Sequence, residues 1–180
     1  MDSIENTKGL IITFTGNGKG KTTAALGMAL RALGQGMKVT ILQFIKGGWE
    51  YGELMMAEKL GPDFSIKQMG LGFVRNLTEE QKKQHKQVAI EALEFAVQII
   101  TSDKYQMVIL DEVFYGIKYG FFTVSDLVKL LQKKPPNLHL VLTGRDAPEE
   151  ITGLSDLVTE MKEIKHPYKK GIIAQKGVEY

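Results

Sequence analysis

Cysteine is absent from the 180 residues, and histidine and tryptophan are scarce. Without cysteine the chain has no disulfides, no thiolate metal site and no cysteine nucleophile. The three histidines do not fall at a spacing typical of metal ligands. The net charge of +2 is too small to indicate a nucleic-acid or membrane partner by itself.

Long apolar runs are also missing, and none approaches the roughly 20 residues of a membrane-spanning helix. The first eight residues are polar and include Asp2 and Glu5, unlike a signal peptide. We therefore expect a cytoplasmic protein that binds neither membranes nor nucleic acid. Because no repeat, low-complexity segment or linker interrupts the chain, we expect one domain over residues 1–180.

The most informative stretch joins an apolar run to a helix-forming run through glycines. Its residues are Gly16, Asn17, Gly18, Lys19, Gly20, Lys21, Thr22 and Thr23. A strand, a glycine-rich turn, a lysine, a hydroxyl residue and a helix make up a phosphate-binding loop. Backbone N–H groups and the helix N-terminus would bind an anion. The Lys21 ammonium would lie on the phosphates, and the Thr22 hydroxyl would be a ligand for Mg²⁺.

This loop departs from the usual pattern G-x-x-x-x-G-K-[ST]. Only three residues separate Gly16 from Gly20, and Thr15 stands where the first glycine is expected. We expect the loop to bind phosphates, with a fit to the nucleotide unlike that of an ordinary ATPase.

A second acidic element follows the apolar run 107–110. Asp111 would hold Mg²⁺, directly or through water, at the tip of a strand beside the loop. Glu112 adds another carboxylate and leaves ATP hydrolysis open, because such a residue can polarise water. We assign Lys21, Thr22, Asp111 and Glu112 as the catalytic residues, and the last three as magnesium ligands.

Strand-like and helix-like runs alternate along the chain, which predicts an α/β fold with a mostly parallel sheet between two layers of helices. We expect capping boxes at Thr78 and Thr123 and a helix near Pro148. The predicted strands cover residues 10–15, 38–44, 64–69, 105–110, 138–142, 157–164 and 172–175.

Several residues in loops at strand ends are candidate ligands of a nucleotide or of a second substrate. Lys46, flanked by glycine, is assigned to ATP. Arg145 is also assigned to ATP, although pairing with Asp146 or Glu149 would explain it equally well. Loop aromatics, including Trp49 and Phe73, suggest a flat ligand or simple anchoring of the loops. Basic residues 82–86 are typical of a solvated helix face, with a binding patch as the other interpretation.

The order of these motifs resembles one family, the ATP:corrinoid adenosyltransferases of the cob(I)yrinic acid a,c-diamide and cob(I)alamin type. The resemblance covers nearly the whole chain from about Lys8. It rests on the shortened loop, Gln43 to Gly47, Gly52-Glu53, Gly72-Phe73, Leu110 to Glu112, Thr143 to Arg145, Lys165 to Pro167, and the ending Ala174 to Tyr180.

This resemblance implies a RecA-like phosphate-loop fold and transfer of the 5′-deoxyadenosyl group of ATP to Co(I) of a reduced corrinoid, with release of triphosphate. It also implies a homodimer, a flavoprotein-type reductant and a role in adenosylcobalamin synthesis or corrinoid salvage. Phe73 would contact the corrinoid. Trp49 would contact it as a substitute for the tryptophan that Arg75 replaces; alternatively, the lower axial ligand is displaced differently, or the preferred corrinoid lacks the bulky lower base. The chain departs from the family after Phe73, where Val74-Arg75 replaces Thr-Trp.

Two other functions stay open on the residues alone. A small RecA-like ATPase or nucleotide kinase would use Glu112 to orient water or an acceptor and would produce ADP. A nucleotide-binding regulator would bind ATP and form neither ADP nor triphosphate.

Overall fold

A computed structural model describes residues 8–48, 51–72, 74 and 77–179. Within these residues strands and helices alternate as expected. The strands are β1 (Ile11–Thr15), β2 (Val39–Gln43), β3 (Phe64–Gln68), β4 (Met107–Asp111), β5 (His139–Thr143) and β6 (Leu157–Glu160). The helices are α1 (Lys21–Gly34), α2 (Gly52–Leu60), α3 (Glu79–Ile100), α4 (Phe114–Lys118), α5 (Val124–Leu131) and α6 (Glu149–Leu154).

The six strands form one sheet in the order β3-β2-β4-β5-β1-β6, and every described pairing is parallel. The predicted parallel sheet is confirmed. Because the strands are parallel, the loops that follow β1, β2, β4 and β5 meet at one edge. β5 lies between the strand that enters the phosphate loop and the strand that ends at Asp111.

Apolar side chains cover both faces of the sheet, as the lack of polar alternation in the strands predicts. In β4, Val108 and Leu110 belong to one core cluster, whereas Met107 and Ile109 belong to the other. Helices α3 and α5 contribute to the first cluster, and α1 contributes Ala25, Ala29 and Ala32 to the second. The sheet is therefore held between two apolar layers, and the buried polar residues Gln43, Asp111 and Thr143 lie at the carboxyl ends of its strands.

Local sequence signals place the helix starts correctly. The Thr78 hydroxyl accepts a hydrogen bond from the Gln81 N–H, and the Thr123 hydroxyl accepts one from the Asp126 N–H; both form complete capping boxes. Pro148 precedes α6 rather than lying in its first turn. None of the helices in the described residues combines the length and apolar composition needed to cross a membrane.

The prediction of a strand at residues 172–175 is wrong. Backbone hydrogen bonds there are local, from Gly171 N–H to the Tyr168 carbonyl and from Val178 N–H to the Gln175 carbonyl. Ile173 is 78% exposed. A strand needs a paired neighbour. Residues 172–175 belong to no strand of the sheet, and the backbone on either side of them forms turns. The last strand is also shorter than predicted and ends at Glu160, whereas α4 was not predicted.

Candidate active site

The phosphate loop leaves β1 at Thr15 and enters α1 at Lys21. Gly16 and Gly20 have φ of 93° and 108°, a conformation that a residue with a Cβ rarely adopts. The N-terminus of α1 has no side-chain cap, and its first turn carries no acidic residue. The first amides of this helix are therefore free to face an anion.

The shortened loop packs against the chain that follows β6. Gly18 N–H donates a hydrogen bond of 2.6 Å to the Met161 carbonyl. A Cβ on Gly16 or on Gly18 would come within 2.5 or 2.7 Å of that same oxygen. Glycine is thus required at both positions by the close approach of backbone. Met161 fixes the loop's shape, and nothing in the local sequence pointed to this residue.

Lys21 is turned back onto its own loop. Its Nζ donates to the carbonyls of Gly16 at 2.8 Å and of Gly18 at 2.7 Å. The residue is only 6% exposed. Burial lowers the pKa of Lys21, against the opposing attraction of Glu112 and Asp111. A buried ammonium that is held by neutral carbonyls is suited to receive an anion.

Asp111 is 0% exposed and lies at the centre of a hydrogen-bond network. Its Oδ1 accepts from the hydroxyls of Thr22 at 2.8 Å and Thr143 at 2.7 Å. Its Oδ2 accepts from the Gln43 amide at 3.2 Å. Asp111 therefore lies close to the phosphate loop, as predicted. β4 is not adjacent to β1, however, because β5 lies between them. The Thr143 hydroxyl at the end of β5 therefore lies between Asp111 and β1.

Glu112 contrasts with Asp111 although the two are adjacent. Its backbone is in the left-handed region, with φ of 60°, and its N–H donates to Thr143 Oγ1 at 2.9 Å. Its Oε2 is buried and has no hydrogen-bond partner among the residues that the structure describes. Burial, reinforced by the charge of Asp111, raises the pKa of Glu112 to about 7. An unpaired buried carboxylate oxygen is costly unless a cation or a donor joins it.

Lys46 lies after β2 and faces α2. Its Nζ is 2.8 Å from Glu53 Oε1 and 3.8 Å from Asp111 Oδ2. It also lies 4.4 Å from the centre of the Tyr51 ring, within cation–π range. Burial opposes the Lys46 charge, but Asp111 and Glu53 outweigh it and raise the pKa of Lys46. This predicted ATP ligand is thus already neutralised by two carboxylates.

A cavity of about 970 Å³ is lined by residues 18–23 of the loop and by most other predicted ligands, whereas Gly16, Asn17 and Asp111 are not among its lining residues. Arg145 is exposed and lines it, as do Lys46, Glu112 and Tyr115. Asn17, Lys19 and Thr23 are exposed too. The carboxyl-terminal segment forms part of the wall, where Glu179 pairs with Lys19. An apolar flank is lined by Leu26, Leu30, Leu33, Met56, Leu60 and Phe64.

The donors at this edge fit a magnesium ion. Thr22, Asp111 and Glu112 supply oxygen atoms beside the phosphate loop. The described residues include no cluster of three or more histidine, aspartate or glutamate side chains that could enclose a metal. Mg²⁺ that is bound with a nucleotide is typically held by one or two protein oxygens together with phosphates and water.

Trp49 and Phe73, the predicted corrinoid contacts, lie outside the described residues, as does Arg75. Among the described residues, the sequence argument missed the roles of Gln43 and Thr143 as donors to Asp111. Both end parallel strands next to β4, and a polar residue at a buried strand end is the signal that would have found them.

Comparison with solved structures extends the fold assignment. The RadB recombinase superposes with a TM-score of 0.51 at 16% identity, covering 89% of this chain and 77% of that chain. At this identity the likeness shows the fold alone, and it confirms the expected RecA-like phosphate-loop architecture.

Sequence relatives are much nearer. Corrinoid adenosyltransferase from Sinorhizobium sp. is 42% identical, covering 96% of this chain and 81% of that protein. The Escherichia coli K12 protein of the same name is 36% identical, with 98% and 88% covered. Corrinoid adenosyltransferase CobA from Salmonella typhimurium is 37% identical, with 96% and 86% covered.

A comparison with models of whole protein families points to the same family as these relatives. Residues 7–180 match the family described as ATP:corrinoid adenosyltransferase BtuR/CobO/CobP, a span that includes the phosphate loop, Asp111 and the carboxyl-terminal segment. The chain therefore belongs to the corrinoid adenosyltransferase family.

Proposed function

We propose that this protein, acting as a single domain, transfers the 5′-deoxyadenosyl group of ATP to Co(I) of a reduced corrinoid and releases triphosphate. The observation that carries the proposal is the family match over residues 7–180. The uncapped α1 N-terminus and the buried Lys21 ammonium support it, because together they form a site for the phosphates.

In this reaction a cobalt–C5′ bond forms and the C5′–oxygen bond breaks. Co(I) supplies both electrons of the new bond and becomes formally Co(III), and triphosphate leaves with the electron pair of the C5′–oxygen bond. The substrate metal is the nucleophile, so the protein needs no covalent nucleophile and no base to activate one. Its contribution is to position ATP and to stabilise negative charge on the leaving group.

Lys21 and the first amides of α1 would carry that stabilisation. Before a nucleotide binds, the ammonium donates to the carbonyls of Gly16 and Gly18. Phosphate oxygens are charged acceptors, and charge-assisted hydrogen bonds are stronger than those to neutral carbonyls. We therefore expect Lys21 to exchange carbonyls for phosphate oxygens. The remaining loop residues, Asn17, Lys19, Gly20 and Thr23, would surround the same phosphates.

Thr22 and Glu112 are the proposed protein ligands of magnesium, and bound Mg²⁺ would neutralise charge on the triphosphate. The Thr22 hydroxyl donates a hydrogen bond to Asp111, and this leaves the lone pairs of the threonine oxygen available to a cation. Glu112 has an unpaired buried oxygen. Since both oxygens of Asp111 already accept hydrogen bonds, we propose that Asp111 acts on the metal through Thr22 or water.

Arg145 and Lys46 are the remaining proposed ATP ligands. The exposed Arg145 lines the cavity beside Lys21 and has no ion pair within the described part of the chain to give up on approaching the phosphates. Lys46 would have to give up its 2.8 Å contact with Glu53 to reach a phosphate oxygen. We propose that Arg145 contacts ATP directly and that Lys46 does so only if Glu53 is released.

The corrinoid contacts at Trp49 and Phe73 rest on the resemblance to the family, and so do a homodimer, a flavoprotein reductant and a cytoplasmic location. The loops concerned are joined by backbone: Gly70 N–H donates to the Lys46 carbonyl at 3.2 Å, and Gly72 N–H donates to the Ile45 carbonyl at 3.0 Å. The segments that lead to Trp49 and Phe73 are thus joined to each other by two backbone hydrogen bonds.

One observation favours the alternative function, an ATPase or nucleotide kinase. The unpaired Oε2 of Glu112 and its pKa of about 7 would suit a residue that orients water or an acceptor hydroxyl. This alternative predicts ADP as a product, whereas adenosyl transfer releases triphosphate and no ADP.

An anaerobic assay separates these reactions. Mg-ATP is mixed with chemically reduced cob(I)alamin, and in parallel with reduced cobinamide, which lacks the lower base. Loss of the Co(I) absorbance, a light-sensitive product and free triphosphate are expected. Unchanged Co(I) with both corrinoids would contradict the proposal, and ADP in the same tube would favour the alternative.

A further inference from the structure

A chain of three hydrogen-bonded polar side chains runs across the ends of three neighbouring strands; two of them are buried and the one on the edge strand is partly buried. Gln68 at the end of β3 donates from Nε2 to Gln43 Oε1 at 3.0 Å, and Gln43 at the end of β2 donates from Nε2 to Asp111 Oδ2 at 3.2 Å. The strand register aligns these three residues, since Gln43 is paired with Gln68 on one side and with Asp111 on the other.

The orientation of the Gln43 amide is fixed by its surroundings. Its Nε2 faces two carboxylates, Asp111 at 3.2 Å and Glu53 at 3.3 Å, while its oxygen accepts from Gln68. Reversing the amide would place its oxygen against both carboxylates and its NH₂ group against the NH₂ of Gln68. The Gln43 side chain is only 1% exposed, so solvent water cannot replace these partners. The Gln43 NH₂ group is therefore committed to the carboxylates.

This donor has a particular effect on Asp111. Oδ1 accepts hydrogen bonds from two hydroxyls, those of Thr22 and Thr143. In the described part of the chain, Gln43 is the one donor within hydrogen-bond distance of Oδ2. Lys46 is 3.8 Å from Oδ2 and is directed to Glu53. Without Gln43, Oδ2 would be buried with no donor at hydrogen-bond distance, and rotation of the carboxylate toward Lys46 would pull Oδ1 away from Thr22.

We propose that Gln43 is a positioning residue for the magnesium–nucleotide site. It fixes the rotation of the Asp111 carboxylate. The Thr22 hydroxyl therefore keeps its hydrogen bond to Oδ1 and presents its oxygen to the metal. Gln68 holds Gln43 in turn. This inference rests on the proposed function only in taking the site to bind a divalent cation with ATP. Partners that orient metal-site residues typically affect metal affinity by about 10- to 100-fold.

The same two strands contain a matched control. Ser65 Oγ donates to Thr40 Oγ1 at 2.9 Å. Ser65 lies three residues before Gln68, and Thr40 lies three residues before Gln43. Thr40 is 4% exposed and pairs with Val108 in β4, away from the strand ends. Thr40→Val removes a buried β2–β3 side-chain hydrogen bond without touching Asp111, and Gln43→Met removes one that reaches Asp111 with little change in volume.

The test measures Mn²⁺ binding by electron paramagnetic resonance on the whole protein, with a β,γ-imido analogue of ATP and no corrinoid. Gln43→Met should weaken Mn²⁺ binding in the ternary complex by at least about 10-fold. Metal-free binding of the analogue should stay within about twofold of wild type. Thr40→Val should leave both affinities unchanged. In the adenosylation assay, Gln43→Met should require a higher magnesium concentration for half-maximal rate, and excess magnesium should restore the rate.

Equal Mn²⁺ affinity in wild type and Gln43→Met would overturn the proposal, and so would an equal loss in Thr40→Val. If Gln43→Met does not fold, Gln68→Met on the edge strand tests the same chain; a loss of roughly threefold is expected, and no loss would overturn it. The proposed function fails separately, when wild type binds Mn²⁺ with the analogue but does not consume Co(I).

Discussion

Two lysines at the same edge of the sheet show opposite ways of holding a buried cation. Lys21 donates to two loop carbonyls, and burial lowers its pKa. Lys46 pairs with Glu53 and lies near Asp111, and although burial opposes its charge, these carboxylates raise its pKa. Both residues follow strand ends beside glycine, and the sequence assigned both to ATP, so their different states could be seen only in the structure.

The difference identifies which cation is available to a substrate. The charge of Lys46 is neutralised within the fold, whereas Lys21 has only neutral acceptors and would gain stabilisation from an anionic ligand. The Lys21 ammonium is thus positioned to bind an anionic ligand, whereas the charge of Lys46 is already balanced by Glu53 and Asp111. The following predictions test this contrast, beginning with the largest expected effect.

Lys21→Ala should lower kcat/KM for adenosyl transfer by about 10³-fold, because it removes a cation from the leaving triphosphate. The unfolding free energy should change little, since Lys21 has no carboxylate in its hydrogen bonds. Steady-state kinetics with chemical denaturation would measure both effects. Activity close to wild type would refute the role assigned to Lys21.

Glu112 should make the metal-free protein less stable as the pH rises. Its folded pKa of about 7 lies above the ordinary 4.5, so the folded state binds the proton more tightly. The stabilisation is fully present below pH 4.5 and is lost as the pH rises to about 7, by at most about 3 kcal/mol. Denaturation in EDTA at several pH values would show this slope, and Glu112→Gln should remove it. An unchanged slope in Glu112→Gln would contradict the assignment.

Glu53→Leu should destabilise the protein by about 1–2 kcal/mol, because Lys46 loses its nearest partner in a half-buried position. Lys46→Met with Glu53→Leu should recover part of this loss, since the double variant no longer buries a lysine charge that has lost its nearest carboxylate. A double-mutant cycle by urea denaturation would measure the coupling. Additive effects would show that Lys46 is not held by Glu53. The exposed pair of Lys38 and Asp63, at 4.0 Å, is the control and should contribute less than about 0.5 kcal/mol.

Lys19→Ala should have the smallest effect, although Lys19 belongs to the same loop as Lys21. Its side chain is half exposed and pairs with Glu179, so solvent screens its charge. We expect KM for ATP to rise less than about fivefold, with kcat unchanged. A loss as large as that of Lys21→Ala would end the distinction between the exposed and buried lysines of the loop.

Much of the fold could be predicted because its signals are local. Apolar runs gave five strands within a few residues of their observed ends, and Thr78 and Thr123 marked two helix starts through capping boxes. The strand predicted at 172–175 failed for a non-local reason. β-branched residues favour an extended chain, but a strand forms only where a partner edge is available, and here the backbone bonds within its own turns.

The candidate site was predictable to the same degree. Lys21, Thr22, Asp111 and Glu112 lie together as their motifs predicted. The donors that orient Asp111 were not predicted, because they depend on which strands flank β4. Gln43 and Thr143 reach Asp111 only in the order β2-β4-β5. The closeness of Met161 to the loop likewise depends on β6 lying beside β1.

The sequence by itself determined the chemistry of this protein: the glycines that shape an anion-binding loop, the lysine and threonine that follow them, and the carboxylates at a buried strand end. Their spacing along the chain encodes these groups, since each motif is only a few residues long. Only the tertiary structure decided their state. Within the described residues, Lys21 donates only to carbonyls while Lys46 has two carboxylates nearby, and both oxygens of Asp111 accept hydrogen bonds while Oε2 of Glu112 has no partner. Burial and charge neighbours set these differences, and both depend on residues that are distant in sequence.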